Sequence, residues 1–465
     1  MSESAAQATD PDLEPSGMAF YRWLHRSYCQ TSALRYFLVR RLRPAGLALL
    51  MVGVVLGMMG MGHERSAIYQ VFSFAFSMGV IALPWAMMRR ASLEAVRELP
   101  RHGTAGEPLR YSVTVTNAGR RRIARAWLLE TEPDPRPPLD EFVRIREPGE
   151  EERNAFDRRF VYFRWQWLLL RRRLFAGSLP STEEIRLARS AKVRLTMEIT
   201  PLRRGVIRMS DLRVVLPDPF GFFQSCVKVK APAAMLTVLP RRYRLPPLEM
   251  PGGVPFKISG EANTNALGNS GEFVGLRDYR PEDPMRLIHW KSWARLGRPI
   301  VKELEDTHYP RYGLVLDCHS TTRDDTGFEE AISVAASFAS AIDTSESLLD
   351  LMFVKNEAHR VTVGRGVERV EKLLEVLAGV TPERSGDHQA LARLVLRHRD
   401  DLTSCIVVLN GWDDSRAELL RMLDQGGVIH IPFVVGSGPK PAGLPGHWIE
   451  VGRVAECLGL LPRRL

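Results

Sequence analysis

Two uncharged apolar runs, four residues apart, constrain this chain more than any other feature in it. Residues 44–62 read PAGLALLMVGVVLGMMGMG and residues 67–88 read AIYQVFSFAFSMGVIALPWAMM. Each has about 20 residues, which at ~1.5 Å per residue crosses a hydrocarbon core of about 30 Å. His63, Glu64, Arg65 and Ser66 leave room only for a tight turn, so the expected structure is an antiparallel transmembrane hairpin. Gly46, Gly53, Gly57 and Gly60 permit close helix contact, and Pro84 falls near the end of the second run, where a local break is tolerated. Arg35, Arg40, Arg41 and Arg43 precede the pair and Arg89 and Arg90 follow it, whereas the turn carries Arg65 offset by Glu64. The positive-inside rule then places both ends in the cytoplasm. The expectation is a multi-pass protein of the inner (plasma) membrane with cytoplasmic soluble domains. The competing reading is a buried helical pair in a soluble core.

The rest of the chain is ordinary for a globular protein: 45% hydrophobic and 25% charged over 465 residues, which excludes a disordered chain and a polytopic transporter. A net charge of +10 calls for an acidic partner. With apolar runs at hand, lipid headgroups rather than nucleic acid are expected to supply it. Cys29, Cys226, Cys318, Cys405 and Cys457 are scattered without CxxC spacing, a pattern that resembles neither a zinc site nor a disulfide framework and reads as free thiols in a reducing compartment.

Five segments follow from pattern. Residues 1–43 open with a polar, small stretch to 18, expected to be disordered. A basic and aromatic stretch from 19 to 43 suits a helix at headgroup level. Residues 44–90 hold the hairpin. Residues 91–244 read as β: 109–117 alternates strictly, turns at Asn117, Ala118 and Gly119, and returns along 123–129. Further short strands at 193–199, 212–216, 226–229 and 235–239, punctuated by Arg204-Gly205 and Asp218-Pro219-Phe220-Gly221, predict a small all-β, sandwich-like domain. An insertion at 134–190 interrupts it. Its first part is proline-rich and charged, and 158–175 reads RRFVYFRWQWLLLRRRLF. That stretch is either a membrane-surface element or a hairpin or helix packed on the domain, with a nucleic-acid patch as a third reading.

Residues 245–310 begin with a Pro-, Gly-, Asn- and Ser-rich linker to 270. They continue as GEFVGLRDYRPEDPMRLIHWKSWARLGRPIVKELE over 271–305. Asp283 as N-cap, Pro284 at the first helical position and Gly297 as stop predict a short helix. Leu287, Trp290 and Ala294 would face a core, with Arg286, Lys291 and Arg295 off that face and a strand over 299–304. The acids Glu272, Asp278, Glu282 and Asp283 are available to these cations. Two readings stay open: a packed domain junction, or a dedicated surface for a partner or phosphate group.

Residues 311–465 alternate strand and helix. Strands are expected at 312–316, 349–354, 406–409, 429–435 and 448–451. A helical face runs through Phe328, Ile332, Ala335, Phe338 and Ile342, and a second helix covers 367–377. This predicts a mostly parallel, Rossmann-type α/β sheet covered by helices. Ligands in such sheets bind beyond the carboxyl ends of the strands, where Asp317 with Ser320 and Thr321, and Asp413 with Asp414, would stand.

The stretch 271–305 resembles the signature of the domain-of-unknown-function family DUF58. The resemblance rests on Glu272, Arg277, Tyr279, Asp283, Arg286, Trp290, Lys291 and Arg295 at their spacing. Glu282 departs from it, where the family usually has Gly, and so does Leu296, where Thr is common. Arg204-Gly205, Asp218-Pro219-Phe220-Gly221 and the preceding apolar pair also match, while the insertion does not align. The resemblance implies a membrane-anchored protein with a C-terminal von Willebrand factor A-like domain, in a family for which no enzymatic activity is established. It further implies the company of a MoxR-type AAA+ ATPase and a transglutaminase-like membrane protein, hence a scaffold or adaptor in complex assembly or maturation. A von Willebrand A-type domain binds Mg²⁺ through Asp-x-Ser-x-Ser; here Asp317 and Thr321 match but His319 replaces the first serine, and imidazole poorly replaces hard oxygen. The expectation is either a Mg²⁺ site at Asp317, Thr321 and Asp413, or a degenerate site whose aspartate only caps. No nucleophile elbow, Walker loop or HExxH appears, and His289, His308 and His319 lack a Cys or Ser partner by spacing. A non-enzymatic role is therefore expected, the alternative being a membrane-associated hydrolase with an unrecognised active site.

Overall fold

The computed structural model describes residues 15–463, apart from 61–66, 148, 177–180, 182, 252–271, 282, 306–309, 321–325, 343, 345–346, 356, 365–368 and 384–386. The chain divides into two compact units, Met1–Leu239 and Pro240–Leu465.

The first unit opens with three helices: α1 (Pro15–Arg41), α2 (Pro44–Gly60) and α3 (Ala67–Met88). Helix α3 is the one helix, among the described residues, long and apolar enough to cross a membrane, through Gln70–Met88. The 17 residues of α2 rise only about 25 Å. The two pack together, with the Phe72 ring against Gly57. Both leave large apolar side chains exposed, among them Leu50, Met51, Val54, Phe74, Ile81 and Trp85. The intervening turn lies outside the described residues, as do residues 1–14 and most of the 245–270 linker.

Strands β1 (Leu93–Glu98), β2 (His102–Thr104), β3 (Leu109–Asn117) and β4 (Ile123–Thr131) follow. Next come α4 (Leu139–Arg144), α5 (Ala155–Phe160) and α6 (Tyr162–Arg171), then β5 (Phe175–Ala176), β6 (Ile185–Leu187), β7 (Lys192–Pro201), β8 (Gly205–Met209), β9 (Asp211–Pro217), β10 (Gln224–Lys228) and β11 (Ala234–Leu239). They form sheets ordered β1-β3-β7-β5, β10-β9-β4-β6 and β2-β11-β8. The inward residues of all three, such as Val113, Leu128, Met197, Val214 and Leu236, share one core. The expected β3–β4 hairpin does not exist: β3 pairs with β1 and β7, and β4 with β9 and β6. The turn after Asn117 therefore carries the chain from one sheet to another, and alternation alone cannot tell a hairpin from such a crossing. Inside, Arg97 donates to both oxygens of Glu130, at 3.0 and 2.8 Å, and Tyr111 Oη adds a third bond at 3.2 Å.

The 158–175 stretch resolves into α5 and α6, packed on the first helix. Phe142, Val161, Trp165 and Leu168 are buried together with Leu24 of α1, and Phe20, Tyr21 and Tyr28 close the cluster. Arg164, buried, donates to Glu150 at 2.8 Å and to the Phe142 carbonyl at 3.1 Å. Of the readings left open for this stretch, the packed helix describes its buried side. Phe156, Tyr162 and Leu170 remain exposed on the other.

The second unit contains β12 (Glu272–Asp278), α7 (Trp290–Leu296), β13 (Ile300–Glu305), β14 (Arg311–Leu316), α8 (Thr326–Ala341), β15 (Leu348–Lys355), β16 (Glu357–Val363), α9 (Val370–Gly379), α10 (His388–Arg397), β17 (Ser404–Asn410), α11 (Asp414–Gln425), β18 (His430–Gly436), β19 (His447–Glu450) and α12 (Val454–Gly459). Six strands build one sheet in the order β16-β15-β14-β17-β18-β19, parallel except for β16. Helices α10 and α11 cover one face, where Leu391, Val395, Leu419 and Leu423 meet Val315, Val407 and Val434. Helix α8 covers the other, with Phe338 against Phe433. The central strands are buried on both faces, so they read as continuous apolar runs.

Candidate functional site

Winding sets the first site. From β14 the chain builds the sheet one way through β15 and β16, then returns to build the other way through β17, β18 and β19. The crevice between the carboxyl ends of β14 and β17 is thus the topological switch point, where open α/β sheets bind ligands. Asp317 follows β14 there, and is 2% exposed. Its Oδ1 accepts the His319 N–H at 2.9 Å and its Oδ2 accepts the Asn410 N–H at 3.4 Å.

A guanidinium fills the crevice. Arg416, in the first turn of α11, donates Nε to Asp317 Oδ2 at 2.7 Å, Nη1 to Asp413 Oδ2, and Nη2 to the His319 carbonyl at 3.3 Å. Asp413 is also the N-cap of α11, its Oδ1 accepting the Arg416 N–H at 2.9 Å. His388, opening α10, brings Nε2 to 3.4 Å from Asp317 Oδ1, off the line a hydrogen bond requires, and its ring meets His319 edge-on at 5.5 Å. Burial pushes the Asp317 carboxyl up, but His388 and Arg416 outweigh it and hold the group below the ordinary carboxylate range.

Of the two expectations for this end of β14, the arrangement fits a capping aspartate better than Mg²⁺ at Asp317, Thr321 and Asp413. Asp317 and Asp413 do converge, but on an arginine that neutralises both, and Thr321 lies outside the described residues. Among the described residues no group of three or more His, Cys, Asp or Glu side chains could hold a metal ion. A hard divalent ion requires several oxygens free at about 2.1 Å. A carboxylate pair committed to a guanidinium does not fit it. Composition carries no sign of this, because Arg416 stands 99 residues from Asp317.

The second site is the module of β12, α7 and β13. The two strands pair antiparallel with a bulge between Phe273 and Gly275. Arg277 binds Asp283 with two bonds, at 2.7 and 2.5 Å, and Asp283 also accepts the Arg280 N–H at 2.8 Å. Arg277 holds the Asp283 carboxyl below its usual range. Asp278 pairs with Arg298 at 3.0 Å. The expected helix is shorter and starts later: Met285–Leu287 is a 3-10 turn, and His289, not Asp283, caps α7 by accepting the Ser292 N–H. Gly297 stops it at φ 68°, as expected.

The expected inward face is also wrong. Helix α7 buries none of its residues. Ile288, Ile300 and Val301 make the local core instead, while Trp290 is 62% exposed and stacks on Trp293 at 5.2 Å and 17°. Met285, Leu276 and Leu296 are exposed around them. Of the signature residues, Tyr279 donates its N–H to the Pro299 carbonyl, Glu272 lies in β12, and Arg277 and Asp283 bind each other. Arg286, Lys291 and Arg295 are exposed beside the tryptophans.

Residues 275–430 match the sequence model of the family described as protein of unknown function DUF58. The match takes in this module and most of the six-stranded sheet. No curated protein matches the chain. Among solved structures, the chain is similar to the CARDB domain of the PF1109 protein from Pyrococcus furiosus, in complex with di-metal ions. The identity is 11%, over 32% of this chain and 89% of that one, with a TM-score of 0.16. It is similar also to a beta-glucosidase from Listeria innocua, at 12% identity over 32% of this chain and 16% of that one, with a TM-score of 0.13. Likenesses this slight carry no argument about fold or activity.

Proposed function

We propose that the chain is a membrane-anchored adaptor whose signature module docks an acidic surface of a protein partner. The observation that carries this reading is the Trp290 indole, 62% exposed and stacked on a half-buried Trp293, in a helix that fully buries no residue, with the exposed Arg286, Lys291 and Arg295 on and around it. Tryptophan and arginine dominate binding hot spots because they bring large area and directed donors at low entropic cost. Left in water, the Trp290 indole gives the fold little. The partner expected from the family resemblance is a MoxR-type AAA+ ATPase, with a transglutaminase-like membrane protein nearby.

The anchor is the hairpin of α2 and α3, with the soluble parts cytoplasmic. The exposed apolar flanks of both helices support it. So does the turn after β9, which holds the start of α2 and the end of α3 together (Phe222 O with Arg43 N–H; Pro217 O with Arg89 Nη1) and so puts both ends on one side. The six-stranded sheet is read as von Willebrand A-like from its strand order, with Arg416 standing where a metal would.

The test is co-purification from detergent extract with the AAA+ ATPase expressed alongside. The wild-type chain should retain the ATPase and the Trp290→Ser, Trp293→Ser double variant should lose it. Failure of the wild type to retain any AAA+ protein overturns the adaptor reading. Release of the intact chain by alkaline carbonate overturns the anchor.

A further inference from the structure

The sheet edge at β10 is covered by the chain that enters and leaves the apolar helices. Leu42 bridges to Phe223, the Arg43 N–H donates to the Phe222 carbonyl at 3.0 Å, and Cys226 Sγ donates to the Arg40 carbonyl at 3.1 Å. From the other helix, Arg89 Nη1 donates to the Pro217 carbonyl at 2.5 Å, and the Arg89 carbonyl accepts from Ser225 Oγ at 3.4 Å. Gly46 presses so closely on the turn that a Cβ there would stand 2.2 Å from Phe222 O. The turn itself is closed by Asp218, whose Oδ1 accepts the Phe223 N–H at 3.2 Å, and by Gly221 at φ 77°.

At its tip Phe220 and Phe222 stack at 6.1 Å and 19°, and Phe220 is 47% exposed. The backbone of this turn therefore lies within about one helical turn, roughly 5 Å, of the first apolar residues of α2. The headgroup layer on each side of a hydrocarbon core is about 5–8 Å deep. If α2 and α3 sit in a bilayer, this contact brings the ring pair to the headgroup level. Trp85, 55% exposed near the end of α3, and Arg43, Arg89 and Arg90 stand at the same level. Aromatic rings and cations are what that layer retains.

We infer that the 217–224 turn is a lipid-docking element: Phe220 and Phe222 enter the headgroup layer of an anionic bilayer, and the exposed Arg90 meets its phosphates, with Arg43 and Arg89 adding positive charge beside it. This rests on the membrane-anchor reading. It adds that the sheet-rich part of the first unit is held at the surface by its own turn, at a depth set by the contact of Phe222 with Gly46.

The full chain, carrying benzoylphenylalanine in place of Phe220, is reconstituted into phosphatidylethanolamine–phosphatidylglycerol vesicles and irradiated. Lipid adducts are expected at 220, enriched in phosphatidylglycerol beyond its share. The same probe at Val206, exposed on β8, should give none. Gly46→Ala should lower the yield at 220 while the chain stays resistant to carbonate. The inference is overturned by an absence of lipid adducts at 220 in a chain that resists carbonate, by equal yields at 206 and 220, by adducts at 220 to protein alone, or by an unchanged yield in Gly46→Ala. Extraction of the chain by carbonate removes the anchor reading and this one together.

Discussion

The switch-point crevice and the signature module are both rich in arginine and carboxylate, yet they use them in opposite ways. In the crevice the buried charges are spent internally: Asp317 and Arg416 are nearly inaccessible, and the half-exposed Asp413 and the His319 carbonyl take up the remaining donors. In the module Arg277 and Arg298 find Asp283 and Asp278, while Arg286, Lys291 and Arg295 stay in water near the uncovered Trp290. The difference follows from desolvation. A buried ion must be paired before the fold can be stable, whereas an exposed cation costs nothing to leave waiting. A closed crevice that looks like a ligand site by topology is a structural keystone, and a small helix that looks like core by spacing is the available surface.

That contrast can be broken at its strongest point first. Arg416→Ala leaves the buried Asp317 carboxylate without its cation and should cost about 3–5 kcal/mol, read from denaturant midpoints. A loss under about 1 kcal/mol, the scale of an exposed pair, would mean that the crevice is open to water. Next comes acid. The Asp317 carboxyl is depressed in the folded chain, so its stabilisation is fully present above the unfolded carboxylate range, near pH 4, and is lost as pH falls through the lower folded value. Asp317→Asn should flatten that acid limb. Asp283→Asn should flatten it less, because its partner Arg277 is partly solvated.

Thiol labelling sharpens the same boundary. Burial pushes the Cys405 thiol, near the start of β17, up to about 12. It should stay unmodified by iodoacetamide at neutral pH until the sheet unfolds, and labelling at the rate of a free thiol would contradict the packing. Smallest of all, Trp290→Ser should shift stability by no more than about 0.5 kcal/mol, as expected for an exposed site, while weakening ATPase retention. A large loss of stability would make Trp290 structural after all. Finally, Mg²⁺ titrated into the wild-type chain should give no heat. Binding heat that disappears in Asp317→Ala would return the crevice to metal chemistry.

Much of the architecture was legible because it is local. Strict alternation marked β3 to the residue, and continuous apolar runs marked β14, β15, β17 and β18 to within two residues. Gly297 was readable as a stop because a residue at positive φ favours glycine. Other features had no local signal. Nothing in the sequence near Asn117 shows that the next strand joins another sheet. The spacing of Leu287, Trp290 and Ala294 is the same whether that face meets a core or water. The 158–175 stretch reads as amphipathic and basic on any surface, and only α1, more than 100 residues upstream, shows which side is buried.

The chain on its own, then, determined where apolar length, alternation and cap residues occur, because each depends on a residue's near neighbours. Which charges meet was decided only in three dimensions. Arg416 reaches Asp317 because the crossovers of the sheet bring α11 over the end of β14, and Phe222 reaches Gly46 because the edge of β10 must be covered. Paired charge and covered edges are requirements of burial, and burial exists only once distant segments have come together.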